Sequence, residues 1–342
     1  MSKRPTLQDL AREAGVGIAT VDRVLHGRPN VSARAVERVT AAAERIGYHA
    51  GGLIAARHNP APPHVRLGFV LHKEAQPFYR ALAAALEAAS EARSDARVIA
   101  RIVHAPSQSP EDFANAFRSA AEDADAVAGS AVNHAIVDTA VRRLIEAGLP
   151  VFALLNDFAQ SARTGYIGLD NMRVGRIAGW TLANVIRQPG KVAVFVGGNR
   201  WHGHILRETG FRACLRDRAS ALQVLDTKVN LETRQVTYEA TLDLLDRVPD
   251  LRGLYIAGGG MEGAIAALRE TRPPGRVALA VNELTPDSRA ALTDGYAVLA
   301  IATPLEALAW NLVATMLRTA AGSPPATDRH ILEPQLYVPE SV

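Results

Sequence analysis

T-L-Q-D-L-A-R-E-A-G-V-G-I-A-T-V-D-R-V-L, residues 6–25, reads as two short helices joined by a tight turn. Thr6 and Asp9 have the spacing of a capping box, with Asp in place of the usual Glu or Gln. Leu7, Leu10, Ala11 and Ala14 then recur at helical spacing on one face. Gly15 falls where a helix C-terminus needs a left-handed residue, and Gly17 is an acceptable N-cap for the second helix. Val21, Val24 and Leu25 give that helix a buried stripe. Ile18, Ala19, Asp22, Arg23 and His26 lie on its other side. Ser32 to Ile46 repeats the pattern with Val36, Val39, Ala43 and Ile46 inward. Three helices in some fifty residues make a compact headpiece of the kind that places its second helix in the major groove of DNA.

The string at 6–25, with V-S-A-R-A-V-E-R-V at 31–39 and I-G-Y at 46–48, resembles the headpiece of the lactose-repressor/galactose-repressor (LacI/GalR) family of transcription factors. The resemblance implies that Ile18, Ala19 and Arg23 contact bases. Ile18 and Ala19 take the family's two variable specificity positions, where apolar side chains suit thymine methyl groups. An arginine such as Arg23 can donate two hydrogen bonds to guanine O6 and N7, worth about 1–3 kcal/mol of discrimination. Thr20, Ser32 and Arg34 are candidate phosphate contacts, which position the protein without reading sequence.

Two departures stand out. Asp22 replaces a serine that contacts phosphate in the family; it either orients Arg23 or accepts from a cytosine amino group. The hinge after the headpiece carries Arg57 where the family has a leucine that wedges into the minor groove. Leu53 and Ile54 come earlier, after a Gly51-Gly52 pair that disfavours helix by about 1 kcal/mol per glycine. Either Leu53 or Ile54 intercalates in a shifted register, or Arg57 reads a narrowed minor groove electrostatically.

Composition bounds the rest. At 342 residues, 48% of them hydrophobic, the chain suits two or three domains. The formal net charge is only +3, but residues 1–66 hold ten Lys/Arg against five Asp/Glu, and the remainder 28 against 30. A basic head on a near-neutral body fits phosphate neutralisation. No run of about 18 apolar residues is present, so a membrane span is not expected, and no secretory segment precedes the first helix. A lone Cys214 excludes an internal disulfide framework, fits a reducing cytoplasm, and reads as a small core residue.

Between Tyr48 and Val65, Gly51, Gly52, Pro60, Pro62 and Pro63 mark a domain boundary. The expected division is a helix-turn-helix head at 1–50, a linker at 51–64 and an effector-binding and dimerisation body at 65–342. The body alternates β-rich runs with helical stretches, which predicts parallel α/β structure. Expected strands are 65–71, 97–103, 124–129, 151–155, 192–196, 222–226, 253–257, 277–281 and 298–302; expected helices include 78–92, 135–147, 173–186, 232–245 and 305–320. R-L-G-F-V-L (66–71), Q-P-F-Y (76–79), G-L-P-V-F (148–152), Y-I-G-L-D-N-M-R-V-G-R (166–176), H-I-L-R-E-T-G-F-R (204–212) and V-N-E-L-T (281–285) resemble the family's effector domain, which is similar to periplasmic sugar-binding proteins. That resemblance implies two lobes and three chain crossings, with lobe one at about 65–167 and 300–322 and lobe two at about 168–298 and 325–342.

Within the body Arg207 matches an arginine that holds sugar hydroxyls in the family, and a planar five-donor group suits vicinal oxygens. Asn156 and Asp157, Asp170 and Asn171, and Asn282 and Glu283 come directly after expected strands, where ligands of open sheets bind. Phe78 and Trp201 either offer ring faces to a sugar or pack between lobes. His202 and His204 read as surface or cleft polar groups. Gly258–Gly263 matches G-x-G-x-x-G, with Glu283 about twenty residues on, but a lone match deep in an α/β body reads more simply as a tight cleft loop.

The sequence therefore points to a cytoplasmic, non-enzymatic regulator, most simply a homodimeric repressor on a pseudo-palindromic DNA operator. Its expected effector is a small sugar, polyol or related ligand, with no cofactor or metal. The competing readings are a ligand-independent dimeric regulator, a secreted binding protein, which would lack residues 6–46, and a nicotinamide-dependent enzyme using the glycine loop.

Overall fold

The computed structural model describes residues 5–49, 62–325 and 327–342. Contacts divide the chain into two units, Met1–Pro63 and His64–Val342, each with its own apolar core.

The first unit holds helices α1 (Leu7–Ala14), α2 (Ile18–Leu25) and α3 (Ala33–Arg45). The capping box forms: the Thr6 hydroxyl accepts from the Asp9 N–H, and the Asp9 carboxylate accepts from the Thr6 N–H at 2.9 Å. Gly15 ends α1 at φ 60°, in the left-handed region where a Cβ is costly. Leu10, Ala14, Val21, Val24, Val39 and Ala43 are buried together. Two arginines of α3 clamp α1: Arg38 donates to the Gly15 carbonyl at 2.9 Å, and Arg45 meets Glu13 at 2.8 Å.

The second unit is built on two sheets. The first contains β1 (His64–His72), β2 (Arg97–Ala105), β3 (Ala126–Gly129), β4 (Val151–Leu154), β5 (Gly165–Leu169) and β12 (Arg329–Leu332), in the order β12-β5-β4-β3-β1-β2. All its pairings are parallel. Helices α4 (Pro77–Glu91) and α12 (Leu305–Ala320) pack one face, and α5 (Pro110–Ala120) and α6 (Ala135–Glu146) the other. The second sheet contains β6 (Gly190–Val196), β7 (Leu222–Val224), β8 (Lys228–Val229), β9 (Leu251–Ile256), β10 (Ala278–Asn282), β11 (Ala297–Ala302) and β13 (Gln335–Tyr337). Its order is β13-β11-β10-β9-β6-β7 with β8 on β6, parallel except for β13 against β11. Here α7 (Asn171–Val185) and α8 (His202–Arg218) cover one face, and α9 (Arg234–Arg247), α10 (Met261–Thr271) and α11 (Pro286–Thr293) the other.

Strands buried on both faces explain the continuous apolar runs: β3, β4 and β5 are buried throughout. Both sheets reverse strand order, between β1 and β3 and between β6 and β9. These reversals part the loops at the strand C-termini and open a crevice in each lobe.

The lobe limits differ from the sequence expectation in two places. Residues 300–302 complete β11 and pair with β10, so the chain returns to the first lobe only at α12. Residues 329–332, expected in lobe two, form β12 and pair along Tyr166–Leu169 in lobe one. The last crossing falls between β12 and β13. Sequence pattern gives little warning here, because β12 alternates exposed and half-buried residues with no apolar run.

Candidate functional site

On α2, Ile18, Ala19 and Arg23 are all exposed while Val21 and Val24 are buried, so the three form one outward face. Arg23 has no partner among the described residues. Asp22 does not orient it: its carboxylate lies 3.0 Å from His26 Nδ1 and 3.5 Å from Arg28. That pairing offsets the negative charge that departs from the family pattern. Thr20 is half-buried, Arg34 is exposed, and the Ser32 hydroxyl accepts from the Ala35 N–H at 3.3 Å as the cap of α3. Leu53, Ile54 and Arg57 lie outside the described residues.

In the second unit, a cavity of about 90 Å³ opens between the strand C-termini of the two lobes. Of the residues expected from sequence, Phe78, Asn156, Asn171, Trp201, Arg207, Asn282 and Glu283 all line it. Two do not. Asp157 is closed off by Arg163, which donates to both its oxygens at 2.6 and 3.1 Å. Asp170 is exposed and caps α7 by accepting from the Arg173 N–H at 3.1 Å. Each does end a strand, but a buried guanidinium takes one carboxylate and a helix terminus takes the other.

Arg207 sits in the second turn of α8, its plane fixed by Nε donating to Asn171 Oδ1 at 2.7 Å and Nη1 donating to the Ala257 carbonyl at 2.8 Å. Nη2 has no partner among the described residues. Glu283 adopts φ 70° and accepts from the Thr303 N–H at 2.9 Å and the Thr303 hydroxyl at 2.7 Å. Burial nevertheless holds its carboxyl above the ordinary value. Asn156 is nearly spent on structure: it donates to the Ala131 carbonyl at 2.6 Å and accepts, across the lobes, from the Gly203 N–H at 2.8 Å. Asn282 Oδ1 accepts from the Tyr255 hydroxyl at 2.9 Å.

Trp201 resolves between its two readings mainly as a lobe contact. It starts α8 in lobe two, yet it packs in the lobe-one cluster with Phe113 and Phe117. Its Nε1–H donates to Gln108 Oε1 at 3.3 Å. Phe78 is half-buried and meets Tyr79 edge-on at 5.2 Å, leaving ring surface toward the cavity.

Sequence reading missed Glu232, Glu262 and Tyr79. The helix expected from Glu232 onward starts instead at Arg234, as α9, and Glu232 lies before it at φ 52°. Its carboxylate is 3.4 Å from Lys73 Nζ, across the cleft, and accepts from the Gly259 N–H at 3.2 Å. Burial would raise this carboxyl; the His204 ring, the Lys73 ammonium and the Gly259 N–H together hold it below the ordinary value. His204 is a buried cleft group whose Nδ1 accepts from the Gly197 N–H at 3.1 Å, which leaves Nε2 as the protonated nitrogen 3.6 Å from Glu232. Burial lowers it to about 4. Gly258 and Gly259 are shaped by this pair: a Cβ on Gly258 would lie 2.5 Å from His204 Cε1, and one on Gly259 3.0 Å from Glu232 Cβ. Gly260 takes φ 92°. The G-x-G-x-x-G match is thus accounted for by a cleft loop. No cluster of metal-ligating side chains, and no helix long and apolar enough to cross a membrane, occurs among the described residues.

Residues 6–50 match the model of bacterial regulatory proteins of the lacI family, and residues 67–324 that of the periplasmic binding protein domain. Catabolite control protein A of Priestia megaterium is 36% identical over 78 residues, an alignment spanning 23% of each chain. The HTH-type transcriptional regulator CelR of Thermobifida fusca is 26% identical over 282 residues, 80% of this chain and 79% of that one. Among solved structures, an ABC transporter solute binding protein from Burkholderia graminis in complex with D-arabinose superposes with a TM-score of 0.75. At 18% identity, with 82% of this chain and 96% of that one covered, the likeness establishes the fold.

Proposed function

We propose, for a chain that belongs to the family of the periplasmic binding protein domain and carries a lacI-family regulatory domain at its head, that it is a sequence-specific DNA-binding transcriptional regulator governed by a small sugar or polyol. The observation that carries the reading is a cavity walled by both lobes, with Phe78 and Asn156 on one side and Arg207 and Glu283 on the other. A ligand seated there binds one arrangement of the lobes better than another, which is the requirement for control by population shift. Arg207 Nη2 and the acceptors of Glu283 and Asn282 suit hydroxyl groups, and Phe78 suits the apolar face of a sugar ring. The likeness to proteins solved with D-arabinose and other sugars supports the same class.

At the head, Ile18, Ala19 and Arg23 read bases while Thr20, Ser32 and Arg34 hold phosphates. The protein acts in the cytoplasm as a homodimer, its two heads on a pseudo-palindromic operator, in the sense of repression. Selection of sites from a random duplex pool by the purified full-length protein tests the reading. Recovery of no preferred sequence at any salt concentration would overturn it.

Two substitutions separate its halves. Arg23→Ala should weaken operator binding by about 1–3 kcal/mol and relax preference at one base pair; a repeated selection that returns the same preference contradicts the assignment. Arg207→Ala should preserve operator binding and weaken the effector by about 1.5–3 kcal/mol, the range for hydrogen bonds to a charged group. An unaltered effector titration would remove Arg207 from the site.

A further inference from the structure

A glycine loop that leads from a strand into a helix N-terminus commonly holds an anion, because its free N–H groups and the helix dipole both favour negative charge. Gly258–Gly260, between β9 and α10, has that form, and α10 has no side-chain cap. Yet the place is taken. Glu232 Oε1 accepts from the Gly259 N–H at 3.2 Å, a Cβ on Gly258 would overlap the His204 ring, and one on Gly259 would crowd Glu232. The same carboxylate is tied to the opposite lobe, with Oε2 at 3.4 Å from both Lys73 Nζ and Gln108 Nε2. Its side chain is only 10% exposed. The protein's own carboxylate fills the anion position, and a bound molecule meets it as part of the wall.

The remaining charges point the same way. Glu262 and Glu283 also face the cavity, and Arg207 supplies the only guanidinium on its wall among the described residues. Two of that group's nitrogens are committed to Asn171 and Ala257. Even with Lys73 counted, carboxylates outnumber cations. Glu262 forms no ion pair among the described residues, and burial holds its carboxyl, like that of Glu283, above the ordinary value. A phosphate or carboxylate on the ligand would meet the same burial that opposes charge on Glu262 and Glu283, and would stand beside Glu232 with few free cationic donors to pair it.

We infer that the effector carries no phosphate or carboxylate, and that Glu232 sets this selectivity by occupying the anion site of the glycine loop. The inference rests on the cleft being the effector site and narrows what enters it. Calorimetric titration and thermal unfolding of the full-length protein against D-glucose, D-ribose, D-galactose and myo-inositol, each beside its monophosphate, and against glucuronate, test it. The expected result is an unphosphorylated member that binds at least 100-fold more tightly than its anionic derivative, with Glu232→Gln cutting that ratio at least tenfold. Should Glu232→Gln fail to fold, Glu262→Gln, which lies in no such network, should cut the ratio severalfold. A phosphate ester or uronate within tenfold of its neutral parent overturns the inference and leaves the cleft as the effector site. A ratio unchanged in the folded variants overturns the role of the carboxylates. Binding by neither series removes the sugar reading, and the inference falls with it.

Discussion

Gly175→Ala should destabilise the folded body by about 3 kcal/mol, at the upper end of what an overpacked interior costs. The helices α7 and α8 cross through glycines, not side chains. A Cβ on Gly175 would lie 2.6 Å from the carbonyl carbon and 2.8 Å from the Cα of Arg207, and one on Gly179 would lie 2.9 Å from the Phe211 carbonyl oxygen. Backbone on a packed helix cannot swing aside as a side chain does, so the two helices must part. The obstructed residue is Arg207 itself, so the same change should weaken effector binding as well as stability. Urea denaturation followed by circular dichroism measures the first effect. A loss below about 1 kcal/mol would mean that the helix pair separates without strain.

Acidification should be the other large perturbation. His72 and His204 are both buried, and burial lowers each to about 4 from an ordinary 6.5. Between those values the unfolded chain takes up protons that the folded chain refuses, so stability falls as pH drops from 6.5 towards 4. Each histidine contributes up to about 3 kcal/mol across that window. Glu262 and Glu283 work in the opposite sense, since their raised folded values let the native state gain protons first. Glu232 adds to the loss only below the ordinary carboxylate range. His72 separates the terms well. Neither ring nitrogen has a side-chain partner among the described residues, and the ring packs against Tyr79, Phe113 and Trp201. His72→Phe should therefore hold or raise stability at pH 7 and remove about half of the histidine-dependent slope. A slope equal to that of the unaltered protein, from urea midpoints between pH 7 and pH 4.5, would show that His72 does not titrate as argued.

The head was largely legible from sequence because its signals are local. Thr6 and Asp9, Gly15 and Ser32 each act within a few residues, and the structure realises them as a capping box, a left-handed stop and a helix cap. The body's buried strands are legible as apolar runs, whereas β5 shows only as the strand that Asp170 and Asn171 follow, because two of its five residues are glycine. One of these, Gly168, is needed where a Cβ would lie 2.7 Å from the Tyr166 ring. The lobe of β12 is not legible, because nothing in four residues that alternate exposed and half-buried says which sheet they join.

The site divides along the same line. Asn171, Asn282 and Glu283 follow strands read from sequence, so their place near the strand ends could be anticipated, whereas Arg207 lies in the second turn of α8 and is reached only through the family resemblance. Asp157 and Asp170 meet the same criterion, but Arg163 claims the first and the start of α7 the second; both partners are local, and position after a strand alone does not weigh them. Glu232 was beyond reach because its role depends on two consecutive non-glycine residues, Leu231 and Glu232, at φ 52°. That conformation arises from the Asn230 side chain accepting from the Glu232 N–H at 2.9 Å while donating to the Gly259 carbonyl at 2.9 Å.

Trp201 belongs to one sheet by chain and to the other by packing, and it is only 4% exposed. Parting the lobes must draw that indole out of an aromatic nest into water. An indole covers about 150–250 Å², which at about 25 cal/mol per Å² amounts to an energetic toll on the order of 4 kcal/mol. This one indole thus weights the closed arrangement by that amount, whether or not a ligand is in place.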